Sequence, residues 1–169
     1  IICDDDKIIL NGLCSVIDWE SLGVTIVGTA ENGRDGIRLL QEQQPDLLMT
    51  DIRMPHVDGL KMIEEGKKIN SKLMAVVFSG YDDFEYAKQA IKLNVTEYIL
   101  KPVNVEELSE ILTRVRKNLD EEISQRRDAA LLRESYQKSL PILRAVFLND
   151  LMRGTADAGM IEEKLKEYS

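Results

Sequence analysis

Leu73-Met74-Ala75-Val76-Val77-Phe78-Ser79-Gly80 decides the fold. Six consecutive apolar residues end at a hydroxyl and a glycine. A strand with one wet face alternates apolar and polar residues, whereas a continuous apolar run of strand length is buried on both faces. The chain on either side repeats this theme. Downstream, Asp83 to Leu93 has helical spacing, with Phe84, Ala87 and Ile91 aligned as the inward stripe, and Tyr98-Ile99-Leu100 reads as a strand. Upstream lies a helix from about Leu60 to Ile69, preceded by a loop with Pro55 and Gly59 and by the buried strand Leu47-Leu48-Met49-Thr50. Gly66 inside that helix costs roughly 1 kcal/mol relative to Ala, and nothing in the sequence accounts for it. Pro45 breaks a helix that Asn32 caps and that turns Ile37, Leu39 and Leu40 inward. Val24 to Thr29 is a β-branched strand, Lys7 to Ile17 is a helix with Ile9, Leu10, Leu13 and Ile17 on one stripe, and Ile1-Ile2-Cys3 ends a first strand.

Strand and helix thus alternate five times. Buried strands between amphipathic helices predict a parallel sheet covered on both faces. Right-handed crossovers make the compact solution an α/β, three-layer, doubly wound domain. Its last helix starts at Asn104, an N-cap with Glu107 three residues on. No Pro or Gly occurs from Val105 to Ser139, and 35 helical residues would span about 52 Å. Leu108, Leu112, Val115 and Leu119 form a stripe that thins beyond Leu119 to Ile123, Ala130 and Leu131. Glu110/Arg114, Glu122/Arg126 and Glu134/Lys138 are i,i+4 pairs in the favourable order. The expected division is a domain over 1–119 and a helical region over 120–169. Within the latter, 120–139 reads as a linker, either a weak coiled coil or a solvated helix. Leu140 to Met152, stopped by Gly154, and Met160 to Tyr168 read as two further amphipathic segments.

Composition excludes several classes. Of 169 residues, 44% are hydrophobic and 31% charged, which argues against wholesale disorder. Thirty acidic against 22 basic side chains leave a net charge of −8, a poor match for a phosphate backbone, so the chain is not expected to grip DNA by itself. The longest apolar run, Leu73 to Phe78, is far short of the roughly 20 residues that cross a membrane. Cys3 and Cys14 fit neither a CxxC motif nor a disulfide framework and read as reduced thiols of a cytoplasmic protein. A start at Ile1 and an end at Ser169 inside a helical pattern are expected of an excerpt of a longer protein.

Ligands of doubly wound sheets bind outside the carboxyl ends of the strands. Asp4, Asp5 and Asp6 follow the first strand, Asp51 the third, Ser79 and Gly80 the fourth, and Lys101 and Pro102 the fifth. Carboxylates, a hydroxyl and an ammonium are therefore delivered to one edge by four strands. Clustered carboxylates repel unless a cation joins them. An all-oxygen set with room for water suits Mg2+, and a hydroxyl with a Lys suits a phosphoryl group. The pattern points to Mg2+-assisted phosphoryl transfer with one Asp as nucleophile. Asp51 stands alone at the central strand end and is the candidate nucleophile, while the adjacent Asp4 and Asp5 are suited to hold metal.

Asp4-Asp5, Asp51 within Asp-Ile-Arg-Met-Pro-His-Val-Asp-Gly, Ser79-Gly80 and Lys101-Pro102 together resemble the receiver domain of bacterial two-component response regulators. The resemblance covers residues 1 to about 119. It implies a flavodoxin-like five-stranded sheet in the order 2-1-3-4-5. It also implies that Asp51 accepts a phosphoryl group from the phosphohistidine of a sensor histidine kinase. Asp5 would hold Mg2+ (or Mn2+) directly, Asp4 through water, and the backbone carbonyl of Arg53 would add a ligand beside Asp51. Ser79 would hydrogen-bond the acyl phosphate, Lys101 would pair with it, and Tyr98 matches a rotating aromatic switch. Asp6 departs mildly from the Glu common there, and only the end of the first strand is present. Ile17-Asp18-Trp19-Glu20, Ser79 to Ala87 and Leu140 to Met152 resemble the regulators with a C-terminal AraC-type helix-turn-helix domain, so DNA binding would belong to a domain outside this chain.

Phosphorylation of Asp51 would let Ser79 move to a phosphoryl oxygen and Tyr98 turn inward, repacking the surface around 83–105. Dimerisation through the 83–119 surface or the linker is the expected output. His56 reads as a loop residue, Trp19 as a packing residue, the six Met as core filler and Lys67-Lys68 as a solvated helix end. An aspartyl phosphatase usually carries a second acid two residues after its nucleophile, where Arg53 stands, and no phosphate-cradling loop with Lys-Ser/Thr is present. The chain therefore reads as a phosphoacceptor with slow self-hydrolysis rather than an enzyme. The alternatives are a phosphorylation-independent assembly module or a stand-alone receiver that binds a protein partner.

Overall fold

The computed structural model describes residues 1–80 and 84–153. The elements run β1 (Ile2–Cys3), α1 (Lys7–Val16), β2 (Thr29–Ala30), α2 (Gly33–Gln43), β3 (Leu47–Asp51), α3 (Gly59–Ile69), β4 (Met74–Ser79), α4 (Phe84–Lys92), β5 (Glu97–Leu100) and α5 (Val105–Arg153). All strand pairs are parallel, and the sheet order is β2-β1-β3-β4-β5. The doubly wound α/β reading and its 2-1-3-4-5 order are therefore met. Period-two alternation in β4 sends Ala75 and Val77 to one apolar layer and Val76 and Phe78 to the other. Leu40, Met62, Ile63 and Ala90, from α2, α3 and α4, cover the first face. Leu10, Leu13, Leu108, Leu112 and Val115, from α1 and α5, cover the second.

Capping residues set the helix starts. Asn32 accepts from Asp35 N–H, and Asp58 accepts from Lys61 N–H at 2.7 Å. Asn104 Oδ1 accepts from the N–H groups of Glu106 and Glu107. The close packing of α3 explains Gly66: a Cβ there would stand 2.6 Å from Leu73 Cδ2 and 3.1 Å from Leu40 Cδ1. Trp19 is buried and its Nε1–H donates to Leu13 O at 3.1 Å, in line with a packing role. Both cysteines are free, and burial pushes the Cys3 thiol up to about 12.

Several expectations need correction. Val24 to Gly28 lies outside the ladder, because β1 presents only Ile2 and Cys3, which pair with Thr29 and Ala30. In α4 the stripe Phe84–Ala87–Ile91 faces outward, with Phe84 80% and Ile91 79% exposed. Tyr86, Ala90 and Leu93 form the inward stripe instead. Arg114 pairs with Glu97 of β5 at 2.9 Å rather than with Glu110, while the Glu122–Arg126 and Glu134–Lys138 pairs form. Lys67 is not a bare helix end, since its Nζ donates to Leu93 O and Asn94 O at 2.7 Å each. Met152 is exposed rather than core.

Two compact units divide the chain, Ile1–Leu119 and Asp120–Ser169. The described part of the second is helix, and α5 continues through Pro141, so Leu140 to Met152 belongs to the same helix rather than to a segment of its own. Proline removes the N–H that would meet the carbonyl of Gln137, but Gln137 is exposed and water can take that place. Residues 81–83, where the α4 pattern was expected to begin, and the segment Met160 to Tyr168 lie outside the described residues. Among the described residues, no helix is long and apolar enough to cross a membrane.

Candidate functional site

Parallel strands β1, β3, β4 and β5 end at one edge, which brings Asp4, Asp51, Ser79 and Lys101 together there. Asp4 follows β1 and its N–H donates to Ala30 O at 3.2 Å. Lys101 follows β5 and its N–H donates to Ser79 O at 2.7 Å, which extends the ladder by one residue. The Lys101–Pro102 peptide is cis. From that position Lys101 Nζ lies 2.7 Å from Asp51 Oδ1 and 2.9 Å from Asp4 Oδ2. Asp4 is fully buried, Asp51 is 7% exposed and Ser79 is 1% exposed.

One ammonium thus serves two carboxylates. Burial opposes the charge of Lys101, but hydrogen bonds to Asp51 and Asp4 outweigh it, and its pKa stands above the ordinary lysine value. Burial raises the Asp51 carboxyl above the usual aspartate range, against the pull of the Lys101 hydrogen bond and charge, and Asp4 adds to the rise. An ionised Asp51 in that setting is poorly solvated on one side and charge-assisted on the other, the condition of an activated oxygen nucleophile.

The remaining carboxylate oxygens are held by backbone. Asp51 Oδ2 accepts from Arg53 N–H at 2.9 Å, and Asp4 Oδ1 accepts from Asp6 N–H at 2.9 Å. Asp6 is also the N-cap of α1, accepting from Ile8 N–H at 2.8 Å. Buried Thr50 donates from Oγ1 to Asp51 O at 2.8 Å. Gly59 N–H donates to Ile52 O at 2.8 Å, and a Cβ at Gly59 would stand 2.9 Å from Thr50 Oγ1. These supports were missed in the sequence. Two had signals: an Asp just before a helical stripe, and the Asp58-Gly59 pair before the next helix.

The other candidates are placed less centrally. Asp5 is exposed. Ser79 Oγ donates to Gly80 O at 3.2 Å. Tyr98 is half-buried and packs on the layer that holds Ala90 and Tyr86. His56 takes a left-handed backbone in the loop after Asp51, with φ 70°. Among the described residues, no three His, Cys, Asp or Glu side chains gather closely enough to hold a metal ion. Lys101 Nζ instead bridges Asp4 and Asp51. The donors are nonetheless all oxygens, the chemistry Mg2+ takes.

Comparison with known proteins gives this edge a family. Residues 1–113 match the response regulator receiver domain. The chain is 32% identical over 156 residues to the uncharacterized transcriptional regulatory protein YesN of Bacillus subtilis, covering 92% of this chain and 42% of the relative. It is 36% identical over 143 residues to the transcriptional regulatory protein HptR of Staphylococcus aureus, covering 84% and 56%. The chain thus spans about half the length of these curated relatives. Among solved structures, the REC domain of AraT, a response regulator from Geobacillus stearothermophilus, superposes with TM-score 0.69 at 35% identity, covering 72% of this chain and 94% of that one. A two component transcriptional regulator AraC from Clostridium phytofermentans gives 0.65 at 28% identity, covering 73% and 95%. With the parallel 2-1-3-4-5 sheet and the receiver match over most of its length, the chain belongs to the response regulator receiver family.

Proposed function

We propose that this chain is the phosphoacceptor part of a transcriptional response regulator and that Asp51 is its phosphorylation site. One observation carries the reading: Lys101 Nζ bridges Asp51 and Asp4 at 2.7 and 2.9 Å, at the strand edge where Ser79 also ends. A carboxylate oxygen of Asp51 attacks the phosphorus of a phosphohistidine on a sensor histidine kinase. The new O–P bond makes an acyl phosphate, the P–N bond breaks, and its electron pair leaves on the imidazole. Lys101 meets the added charge of about −1.5 to −2, and Ser79 donates to a phosphoryl oxygen. Asp4, Asp5, Asp51 and the Arg53 carbonyl would hold Mg2+ or Mn2+. When bound, the ion supplies charge neutralisation at the transferring phosphoryl group.

The site is a switch rather than a turnover centre, and slow hydrolysis of the aspartyl phosphate resets it. Tyr98 and the surface after residue 83 carry the change toward α5, which begins at Val105, four residues after Lys101. A homodimer, through that surface or the linker, is the output of this chain. DNA contact belongs to a C-terminal domain like those of transcriptional regulators, and the setting is cytoplasmic. Intact mass after incubation with Mg2+ and a small phosphodonor, for the parent and Asp51→Asn, tests the reading. One phosphate gained by the parent alone supports it. No gain in either would favour a phosphorylation-independent assembly module.

A further inference from the structure

Gly12 sits in the middle of α1, where glycine is disfavoured relative to alanine. The other helical glycines have a reason in the fold. A Cβ on Gly33, Gly36, Gly59 or Gly66 would run into Val57 O, Met62 Sδ, Asp51 O or Leu73 Cδ2 respectively. A Cβ on Gly12 would meet nothing within 4 Å. Among the described residues, nothing inside the chain asks for a glycine there.

The surroundings of Gly12 are apolar. Ile8 and Val16 lie four residues to either side of it, 82% and 62% exposed. Helical spacing puts the three on one ridge. Beside the ridge runs a groove of about 260 Å3 between α1 and the start of α5, lined by Leu13, Val16, Val103, Val105 and Lys101 among others. Lys7 is the one charged residue of α1 and stands at its first position. From Ile8 to Val16 the helix carries no charge, in a chain that is 31% charged.

We propose that this face is an interface between two copies of the chain, with the α1 helices crossing antiparallel at Gly12. The glycine lets two backbones approach closely where the axes cross, because interaxial distance follows the side chains at the contact. Ile8 and Val16 are equidistant from Gly12, so a two-fold axis there sets Ile8 of each copy beside Val16 of the other. Each Ile8 is then a knob for the groove that Val16 and Val105 line in the other copy, and the contact closes on itself. Charge also selects a second copy. Each copy carries a net −8, and two such copies meet at least cost where neither presents charge. A basic partner would be drawn instead to the acidic surface elsewhere. Asp5, Asp6, Asp18 and Glu20, exposed beyond the ends of the ridge, still repel across the axis. One helix crossing is a small interface, so the dimer is weak, with a Kd on the order of 0.1 mM. It uses neither α4 nor the linker, and it does not rest on the phosphoacceptor reading, since no part of it passes through Asp51.

Sedimentation velocity without phosphodonor, over a concentration series to about 1 mM, tests this, with urea melts of the same proteins at low concentration. Gly12→Ala should move two readouts in opposite directions. Helix propensity and open space should raise its urea midpoint, while the added Cβ holds the helices apart and weakens the dimer about three- to ten-fold. Ile8→Ser should weaken it about ten- to a hundred-fold, through the lost burial of an isoleucine on each copy. Phe84→Ser removes a side chain that is 80% exposed on α4 and should leave the dimer as in the parent. Added salt should tighten the dimer by screening its acidic ends. A Gly12→Ala chain that is more stable yet associates like the parent would overturn the crossing. A dimer lost in Phe84→Ser but kept in Ile8→Ser, or one that salt dissolves, would overturn the face. A parent that stays monomeric throughout would overturn the second copy and leave the groove to a different protein.

Discussion

Lys101 holds two carboxylates that would otherwise face each other, so its removal has a definite sign. Its folded pKa stands above the ordinary lysine value of 10.5. The stabilisation it provides is therefore complete below that pH and is lost as pH rises through the folded value. Lys101→Met should lose about 2 kcal/mol at neutral pH, less than a fully buried pair because the ammonium keeps some solvent contact. Chemical denaturation across pH 7 to 11.5 checks both halves: the variant should start lower and show less alkaline decline than the parent. Burial lifts the Asp51 carboxyl above the usual aspartate range, against the pull of Lys101. Without Mg2+, an NMR titration of the parent should thus show the Asp51 carboxyl protonating above the usual aspartate range. An NMR titration of the Asp51 carboxyl in Lys101→Met should move further up, since burial then acts with less opposition. These residues were legible in the sequence because each sits at the end of an apolar strand, and strand ends can be counted. The contact of the Arg53 guanidinium with the Tyr86 ring, 5.8 Å from Cζ to the centroid, was not, because nothing in linear spacing says which side chain a loop residue meets on a distant helix.

At the scale of elements, α3 and α4 show what period alone does and does not fix. The residues of α4 carry two apolar stripes, Phe84–Ala87–Ile91 and Tyr86–Ala90–Leu93, and both satisfy helical spacing. The sheet takes the stripe centred on Ala90, which is 2% exposed, and leaves Phe84 and Ile91 of the other in water. Gly66 is the converse case, a residue that local propensity disfavours and packing requires. Gly66→Ala should gain about 1 kcal/mol of helix propensity and lose about 1–3 kcal/mol to overpacking against Leu73 and Leu40. Net destabilisation in urea melts is the expected outcome, and a net gain would mean that α3 can shift at little cost. Lys67 ties the same two helices by its paired bonds to the end of α4. Lys67→Met should cost about 1 kcal/mol, because both carbonyls can turn partly to water, and should raise amide exchange in residues 91–95 more than in α3.

At the scale of the whole chain, the two units differ in what their surfaces leave uncovered. The first packs two apolar layers around its sheet, although Ile8, Phe84 and Ile91 stay exposed. The described helix of the second exposes Ile123, Leu131, Leu132, Ile142, Val146 and Met152. Its hydrophobic stripe was legible only as thinning, since Ala130 and charged pairs interrupt the repeat between Leu119 and Leu140. An interrupted stripe is a weak zipper by itself, and a weak zipper is the kind that a switch can tip. The expected behaviour is a monomer–dimer equilibrium that a phosphoryl analogue such as beryllofluoride with Mg2+ shifts toward the dimer. Sedimentation velocity over a concentration series, with and without the analogue, measures it. Leu132→Glu should weaken the dimer about ten- to a hundred-fold if that side chain is buried in it, the equivalent of one leucine's burial, while leaving phosphate gain at Asp51 intact. An unchanged monomer in every condition would sink the dimer and leave the helix to contact a different partner. A dimer that forms equally in Leu132→Glu would move the interface to the surface between residues 83 and 119.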